Sequence, residues 1–411
     1  MRKPRRRRAL MPGRRFSRAS MSCWRRPPMQ TDTRIKAGET AAAIGAAPAG
    51  QARAADAVSE ADTKALWQRW QALRETHQML RARDGAARLG VTEAELVAAN
   101  PASRQLDPDW GGIVQGLRDV GPVMALTRNH GVVIEKTGPV EAVDIYPEHR
   151  MGQVVGADVD LRLFLRHWAF GFAVREETRS GLRESLQFFD AHGVAVHKIY
   201  RVEGTDGAAW SALADKQRAA EPAPMTILPP EPPVPPRPAA EIDIEGLRAG
   251  WRGMSNTHDF FGLLRKYRVE RRQALRLAGA ELAQRTDTDS CRAVLALARD
   301  SGLEIMVFVG NPGCLQIHTG PVERLETVGQ WLNVLDPGFN LHLWQPAVTD
   351  AWLVRKPTQQ GVITSLECYD EAGELLVQCF GKRKGQASES PQWRELLSVA
   401  TGAEAFIRGQ A

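Results

Sequence analysis

The stretch Thr137-Gly-Pro-Val-Glu141 occurs a second time as Thr319-Gly-Pro-Val-Glu323, and this repetition decides how the chain is organised. Downstream of both copies, residues 161–200 align without a gap onto residues 341–380 at a constant offset. Ten of these forty positions carry identical residues. The chain is therefore a duplicated domain, and a ligand site is expected at the seam between its two non-identical halves.

The repeat and the composition divide the 411 residues into four segments. Residues 1–58 are basic and then alanine-rich, which predicts a disordered tail. The two repeats occupy residues 59–220 and 241–403. Between them, residues 221–240 hold nine prolines, which predicts a semi-rigid linker rather than a folded element.

The basic character of the chain comes from its first 28 residues, which hold ten arginines, one lysine and no acidic residue. Because the net charge of the whole chain is only +6, the remainder is acidic. No apolar segment follows the arginines, so a secretory signal is not predicted, and Met21 or Met29 is the favoured start. A disordered arm that binds nucleic acid or a membrane surface is the alternative. No run of 18 apolar residues occurs, so membrane insertion is not expected.

The sequence lacks the motifs that mark several common metal sites and enzyme classes. The five cysteines are scattered and form no Cys-x-x-Cys pair, which favours a reducing cytoplasm and argues against a zinc ribbon, an iron–sulfur cluster or covalently attached haem. They are Cys23, Cys291, Cys314, Cys368 and Cys379. No dinucleotide fingerprint, phosphate-binding loop, serine nucleophile elbow or His-Glu-x-x-His motif is present. Hydride transfer, nucleotide hydrolysis and serine hydrolysis are therefore not supported.

Apolar periodicity predicts an α+β fold in which helices precede a large antiparallel sheet in each half. In the first half, helices are predicted at 60–80, 93–100, 110–118 and 206–219, and strands at 122–127, 131–136, 139–145, 159–165, 170–176, 183–190 and 194–201. In the second half, helices are predicted at 243–254, 256–266, 270–283, 288–301 and 391–400, and strands at 304–309, 314–318, 321–327, 331–335, 340–345, 350–355, 362–369 and 374–380.

His258 is the first candidate for chemistry. It lies in the first turn of a predicted helix, beside Phe260 and Phe261 and ahead of a basic end, which suits a flat apolar ligand that carries carboxylates. The commoner reading of such a histidine is a helix cap or a surface residue. In the first half, His77 aligns with His258 but lacks the aromatic neighbours, so we expect it to be a decayed equivalent.

Arg162 is the second candidate. It lies in Asp160-Leu-Arg-Leu163, where polar and apolar residues alternate, and its repeat partner is His342. On pattern alone, a solvated strand face is the simpler interpretation of this arginine.

Five separated motifs resemble the HemS-type cytoplasmic haem-handling proteins, also called hemin-degrading factors. In order they are Asp160-Leu-Arg-Leu-Phe-Leu165, Thr257-His-Asp-Phe-Phe261, Ile305-Met-Val-Phe-Val-Gly-Asn311, Trp352-Leu-Val-Arg-Lys-Pro-Thr358 and Ser365-Leu-Glu367. The resemblance runs from about residue 65 to residue 402 and includes the duplication. It implies a haem cleft between the halves, with His258 as the axial ligand of the haem iron and Arg162 on the distal face.

The same resemblance places polar residues at the haem edge, where propionates are the expected partners. They are Arg271, Lys356, Gln378 and Arg383. Phe380 stands where many members have tyrosine, so the ring is kept and a hydroxyl is lost. Ile134 stands where some members have a second histidine, whose role cannot be carried over.

The sequence therefore predicts a cytoplasmic protein of bacterial haem-iron uptake that stores, transfers or oxidatively degrades imported haem b. The expected partners are haem, an inner-membrane haem importer, and a haem oxygenase or a reductase. Three alternatives stay open: a haem chaperone without enzymatic activity, a nucleic-acid-binding regulator that uses the basic tail, and an interaction scaffold that uses the proline linker.

Overall fold

The computed structural model describes residues 60–77, 80–178, 181–232, 234–383 and 387–408. The predictions for the tail 1–58 and for Cys23 lie outside the described residues, and the division into four segments stays a prediction. All described residues fall within one unit of the chain. Among them, no helix is long and apolar enough to cross a lipid bilayer.

Most helices precede the long strands in each half, as predicted, and the helices at the end of each half follow its last strand. The first half has α1 (Glu60–Thr76), α2 (Ala82–Leu89), α3 (Glu93–Ala98), α4 (Trp110–Gly116) and α5 (Gly207–Lys216). The second half has α6 (Ile244–Arg252), α7 (Asp259–Tyr267), α8 (Arg271–Leu277), α9 (Ser290–Ser301), α10 (Pro391–Thr401) and α11 (Glu404–Arg408).

The strands of the two halves correspond one to one. The first half has β1 (Arg104–Gln105), β2 (Pro122–Arg128), β3 (Val132–Pro139), β4 (Ala142–Tyr146), β5 (Met151–Val155), β6 (Asp160–Leu163), β7 (Phe170–Thr178), β8 (Gly181–Phe189) and β9 (Ala195–Arg201). The second half has β10 (Ala283–Thr286), β11 (Ile305–Asn311), β12 (Cys314–Gly320), β13 (Leu325–Val328), β14 (Trp331–Asp336), β15 (Phe339–Trp344), β16 (Asp350–Thr358), β17 (Gly361–Tyr369) and β18 (Leu375–Gly381).

Each half gives three of its strands to the sheet of the other half. The first sheet has the order β1-β7-β8-β9-β2-β3-β15-β14-β13, and the second has the order β10-β16-β17-β18-β11-β12-β6-β5-β4. The joins are antiparallel pairs in which Leu341 lies opposite Ile134 and Arg162 lies opposite Leu315. The α+β class and the repeat are confirmed, and the exchange of strands was not foreseen.

The alternation that predicted the strands places one face of each sheet in a shared interior. Ile134 of the first sheet and Val307 of the second are both fully buried in one apolar cluster with α9 and α10. The opposite, outer face of the second sheet is partly covered by α6, α7 and α8. On the first sheet, α3 packs on the outer face together with Met225 and Ile227 of the linker.

The predicted elements match the observed ones with two kinds of difference. The short helices α2 and α11, the strand β5 and the short edge strand β1 were not predicted, because short elements carry little periodicity. The helix predicted at 270–283 ends at Leu277, and its last residues belong to β10. Gly279 has a φ of 90°, a left-handed conformation that ends the helix and lets the chain turn into the strand.

Two asparagines join the halves at the centre of the molecule. The side-chain amide of Asn311 donates hydrogen bonds to the carbonyl oxygens of Arg128 and Val196, both at 2.8 Å. Its oxygen accepts from the backbone N–H groups of Gly313 and Cys314. Asn129 makes the equivalent four bonds in the opposite direction, from the first half into the second. Each asparagine therefore forms hydrogen bonds with backbone groups of its own turn and with backbone carbonyls of the other half.

Replacing Asn311 with alanine is expected to lower the free energy of unfolding by about 3 kcal/mol, because buried backbone groups lose their partners. Denaturant unfolding would measure the change. Asn340→Ala is the matched control, since this amide makes a single bond of 3.3 Å to Glu135. Equal effects of the two substitutions would contradict the argument.

Two buried histidines make stability depend on pH. Burial lowers the pKa of His197 and of His318 to about 3 in each case. His197 bonds Thr127 through Nδ1, while its Nε2 has no partner in the described part of the chain. Both rings are therefore neutral in the folded protein at pH 7.

Stability is expected to fall between pH 6.5 and 5, because the unfolded chain takes up protons that the folded chain refuses. The usual histidine pKa is near 6.5, so the stability is present above that pH and is lost as the pH falls toward 3. Each histidine contributes a slope of up to about 1.4 kcal/mol per pH unit. In denaturant titrations, His197→Gln should flatten this slope and His192→Gln, on the surface, should not. An unchanged slope in His197→Gln would refute the assignment.

Candidate functional site

His258 is exposed at the start of α7, on the outer side of the second sheet. The preceding turn is held by the Asp259 carboxylate, which accepts hydrogen bonds from the backbone N–H groups of Ser255 and Asn256 at 3.1 and 2.9 Å. The His258 N–H donates to Asn256 Oδ1 at 3.0 Å. Its imidazole forms no hydrogen bond within the described residues, so both ring nitrogens are available to a ligand.

Arg162 lies on the same sheet although it belongs to the first half of the chain, because β6 is one of the exchanged strands. Its side chain is half-buried and is ion-paired with Asp160, and it also donates to the Leu161 carbonyl at 3.1 Å. Burial raises the pKa of Asp160, and the positive charge of Arg162 opposes that rise. Arg162 is thus held through one guanidinium nitrogen, Nη1, while the side chain as a whole stays partly exposed.

Apolar side chains form the floor between these two residues. Phe308 and Phe380, from neighbouring strands, meet edge to face with ring centroids 5.0 Å apart, and both are partly exposed. Leu315 belongs to β12, the strand between β11 and β6, and lies directly opposite Arg162 of β6. Three strand spacings separate β18 from β6, or about 14 Å. The floor is broad enough for a flat, mainly apolar molecule.

The two phenylalanines of α7 do not act together, contrary to the expectation that both line an apolar ligand. Phe260 is 2% exposed and packs against Trp251, with ring centroids 4.5 Å apart. Phe261 is 67% exposed and points away from that core. Successive helical residues lie about 100° apart around the axis, so one faces the protein and the other faces solvent.

Three of the predicted edge residues share one buried carboxylate, Glu367. Arg271 donates to both of its oxygens, at 2.7 and 2.8 Å. Lys356 Nζ and Gln378 Nε2 reach it at 2.8 and 2.9 Å. The hydroxyls of Ser365 and Tyr369 complete the set. Two cations and one anion leave a surplus of one positive charge beside the apolar floor, on the same face of the sheet.

The network sets the protonation of its members. Burial alone would raise the pKa of Glu367, but Arg271 and Lys356 hold it well below its usual range. Burial lowers the pKa of Lys356 to about 8, against the pull of Glu367. The Lys356 ammonium also lies 5.1 Å from the Phe260 ring and 5.6 Å from the Phe380 ring. It therefore stays at the boundary between the ion cluster and the apolar floor.

Sequence reasoning did not single out Glu367 or Tyr369 as site residues. A signal was present, since Ser365-Leu-Glu367 places an acid on a strand whose neighbours are apolar, and a buried acid requires cationic partners. The fourth edge residue, Arg383, lies apart from this cluster. One of its nitrogens donates weakly to the Ala387 carbonyl at 3.5 Å, and its Nε has no partner in the described part of the chain.

His77 does not hold the place of His258. It follows the end of α1, and its Nδ1 lies 2.9 Å from the Thr76 hydroxyl. The residue that begins the corresponding helix α2 is Arg81. Among the described residues, no group of three or more histidine, cysteine or acidic side chains could hold a bare metal ion. A single free imidazole suits a metal that arrives with its other ligands attached, as in haem.

Comparisons with known proteins show which proteins this chain is similar to. The sequence model described as the haemin-degrading HemS.ChuX domain matches twice, at residues 90–217 and 268–399. The hemin transport protein HmuS of Yersinia pestis is 38% identical over 339 residues, which are 81% of this chain and 96% of that protein. The crystal structure of holo-PhuS, a heme-binding protein from Pseudomonas aeruginosa, has 46% identity and a TM-score of 0.79, and covers 82% of this chain and 98% of its own. The E. coli heme oxygenase ChuS has 35% identity and a TM-score of 0.74, and covers 82% and 99%.

Proposed function

Because this chain belongs to the haemin-degrading HemS/ChuX family, we propose that it binds one haem b on the outer face of the second sheet, as a protein of bacterial haem-iron uptake. In this proposal His258 ligates the iron, and Arg162 faces the opposite side of the ring. The protein works in the cytoplasm, receives haem from an inner-membrane importer and stores it or passes it on, with a haem oxygenase or a reductase as its partner.

One observation carries the proposal. A free, exposed imidazole from a second-half helix and a tethered arginine from a first-half strand share one face of one sheet, with a broad apolar floor between them. Neutral imidazole is a good ligand for haem iron, and the apolar floor takes the ring out of water. The predicted cleft between the halves is thus interpreted as the space between α7 and the exchanged strands.

The buried ion cluster limits how the propionates are held. Arg271, Lys356 and Gln378 already bind Glu367, so they offer a propionate one surplus positive charge rather than two. We propose that Lys356 makes this contact, since its ammonium borders the Phe380 ring at the floor. A charge-assisted hydrogen bond of this kind contributes about 1.5–3 kcal/mol. Arg383 remains a proposed partner for the other propionate.

Titration with hemin tests the proposal directly. A Soret band that saturates at one hemin per chain is expected, because among the described residues only the second half begins the relevant helix with a free histidine. Two equal sites would contradict the asymmetry. No Soret band would favour the nucleic-acid and scaffold alternatives, which stay predictions since the basic tail lies outside the described residues.

Oxidative degradation of the bound haem is a second candidate function. It is supported by the heme oxygenase ChuS among the similar structures and by the position of Arg162, whose guanidinium can donate to a small ligand on the distal side. Haem supplies the oxygen chemistry when bound, and an external donor supplies the electrons. The residues that hold the ring are the same for storage and for degradation.

Arg162→Ala is expected to keep most of the hemin affinity and to lose most oxygen-dependent bleaching. The guanidinium is placed to bond whatever occupies the distal side and does not hold the iron. Absorbance would be followed with ascorbate as donor and catalase present, and Arg324→Ala, an exposed arginine paired with Glu326, is the control. If the unaltered protein shows no bleaching, storage and transfer stand alone as the function.

A further inference from the structure

The outer face of the first sheet is the counterpart of the proposed haem face and carries a different set of residues. On the second sheet, one row of directly paired residues runs from β11 to β5 and contains Gly310, Leu315, Arg162 and Gln153. The same row on the first sheet runs from β2 to β14. It contains Arg128, Val133, His342 and Asn333. An arginine therefore stands where the haem face has a glycine.

The first sheet also lacks the carboxylate at the centre of the cluster on the second sheet. Gln187 takes the place of Glu367, and Lys198 takes the place of Gln378. The charge of Lys198 is already matched, because its ammonium lies 2.5 Å from the Glu93 carboxylate in a buried pair. The amide oxygen of Gln187 is buried without a partner in the described part of the chain. The carboxylate in the row of Gln187 and Lys198 is Glu135 on β3, which accepts a hydrogen bond from Asn340 and forms no ion pair within the described residues.

Arg128 is a further cation on this face. Its side chain is half-buried, and its guanidinium forms no hydrogen bond or ion pair within the described residues, whereas buried guanidiniums are normally paired. Burial lowers its pKa to about 10, and the positive charge of Arg83 lowers it further than any other neighbour. Arg81 adds to the repulsion, while Glu93 and the exposed Asp84 oppose it.

The start of α2 lies on the same side of the first sheet as the row that contains Arg128 and His342. Ala86 of α2 packs against Leu96 of α3, and α3 lies on the outer face of the sheet. Arg81 is the N-cap residue of α2, and its positive charge acts on both Arg128 and His342. His342 bonds Asn333 Oδ1 through Nδ1 at 2.7 Å, and burial lowers its pKa. The imidazole of His342 therefore carries no charge at neutral pH. The guanidiniums of Arg81 and Arg83, like that of Arg128, form no hydrogen bond or ion pair within the described residues.

We propose that the outer face of the first sheet binds a polyvalent oxyanion, held by the guanidiniums of Arg81, Arg83 and Arg128. A half-buried guanidinium that faces like charges destabilises the free protein, and an anion removes that penalty. Arginine binds phosphate and carboxylate groups through paired N–H donors, so the shared ligand chemistry is an oxyanion with two or more charges. This site is separate from the proposed haem site, because Arg128 belongs to the first sheet and the haem face belongs to the second.

Thermal unfolding of the full chain in pyrophosphate and in citrate tests the proposal, against sodium chloride at matched ionic strength. At ten times the dissociation constant, the melting temperature should rise by about 2 °C beyond the chloride control. Arg83→Gln and Arg128→Gln should lose this rise. Arg299→Gln is the control and should keep it, because Arg299 lies on α9 and is paired with Asp300. Binding of the anion to the arginines of the tail would persist in all three variants, which distinguishes it from binding at the proposed site.

The two anions distinguish the sources of the ligand. A response to pyrophosphate alone identifies a phosphate-bearing ligand, and a response to citrate alone identifies a polycarboxylate. In buffer without pyrophosphate or citrate, Arg128→Gln should be as stable as the unaltered protein or more stable, because the repulsion of Arg128 by Arg81 and Arg83 is relieved. A clear loss of stability there would mean that the guanidinium is structural, and would overturn the proposal. A rise that is equal in all variants, or absent from the unaltered protein, would also overturn it.

Discussion

His258→Ala is expected to weaken hemin binding more than about tenfold, or by more than about 1.4 kcal/mol, and to change the visible spectrum. The imidazole is exposed and free of hydrogen bonds within the described residues, so its removal leaves no internal group unpaired and should not unfold the protein. The turn that presents it is held by Asp259 and stays intact. Loss of affinity would then report the lost bond to iron.

His77→Ala is the matched control for this experiment. His77 is also exposed, but it follows α1 and contacts Thr76. Hemin affinity and spectrum should both be unchanged in this variant. If His77→Ala removes the axial-ligand spectrum and His258→Ala does not, the roles of the two halves are reversed.

Glu367→Ala is expected to lower the free energy of unfolding by about 3–5 kcal/mol, because it leaves two buried cations without their counter-ion. Glu367 is fully buried and accepts hydrogen bonds from five side chains of the second half. The donors are Arg271, Lys356, Ser365, Tyr369 and Gln378. Denaturant unfolding without hemin measures the effect.

A second substitution separates lost charge from lost volume. Glu367→Gln keeps the shape of the side chain but not its charge, so it should retain most of the destabilisation. Adding Lys356→Met to Glu367→Gln removes one of the stranded cations, and should recover part of the loss. The proposed ion cluster would be refuted by a Glu367→Gln variant within 1 kcal/mol of the unaltered protein, a margin on the order of one ordinary hydrogen bond.

Local pattern was sufficient for most elements of the fold. The alternation at residues 305–309 predicted a strand, and Val307 and Val309 are fully buried on its inner side. The same reasoning could not reveal the exchange of strands. Alternation in Asp160-Leu-Arg-Leu163 shows which residues face inward, but it does not show whether the strand pairs with β12 or with a strand of its own half. That choice is made by contacts about 150 residues apart, which leave no periodic trace.

The candidate site was predicted from the sequence in a different way. Pattern alone favoured a surface or capping histidine and a solvated arginine, and their exposure in the structure fits that interpretation too. The resemblance to a family singled out His258 and Arg162, and the exchanged strand explains how both reach one face. Glu367 was missed because its role depends on side chains that are distant in sequence. Three of its hydrogen-bond donors, Arg271, Lys356 and Gln378, had been predicted to contact the ligand instead.

The exchange of strands also bears on what holds the two halves together. Each nine-stranded sheet is built from both halves, so the two repeats exchange strands within one polypeptide, as two protomers do in a domain-swapped dimer. A protease that cut the proline-rich connector, between Ile227 and Ile242, would sever the covalent link without opening either sheet. The connector acts as a tether that raises the effective concentration of one half near the other during folding. Once the sheets have closed, hydrogen-bonded ladders and not the tether keep the halves in place.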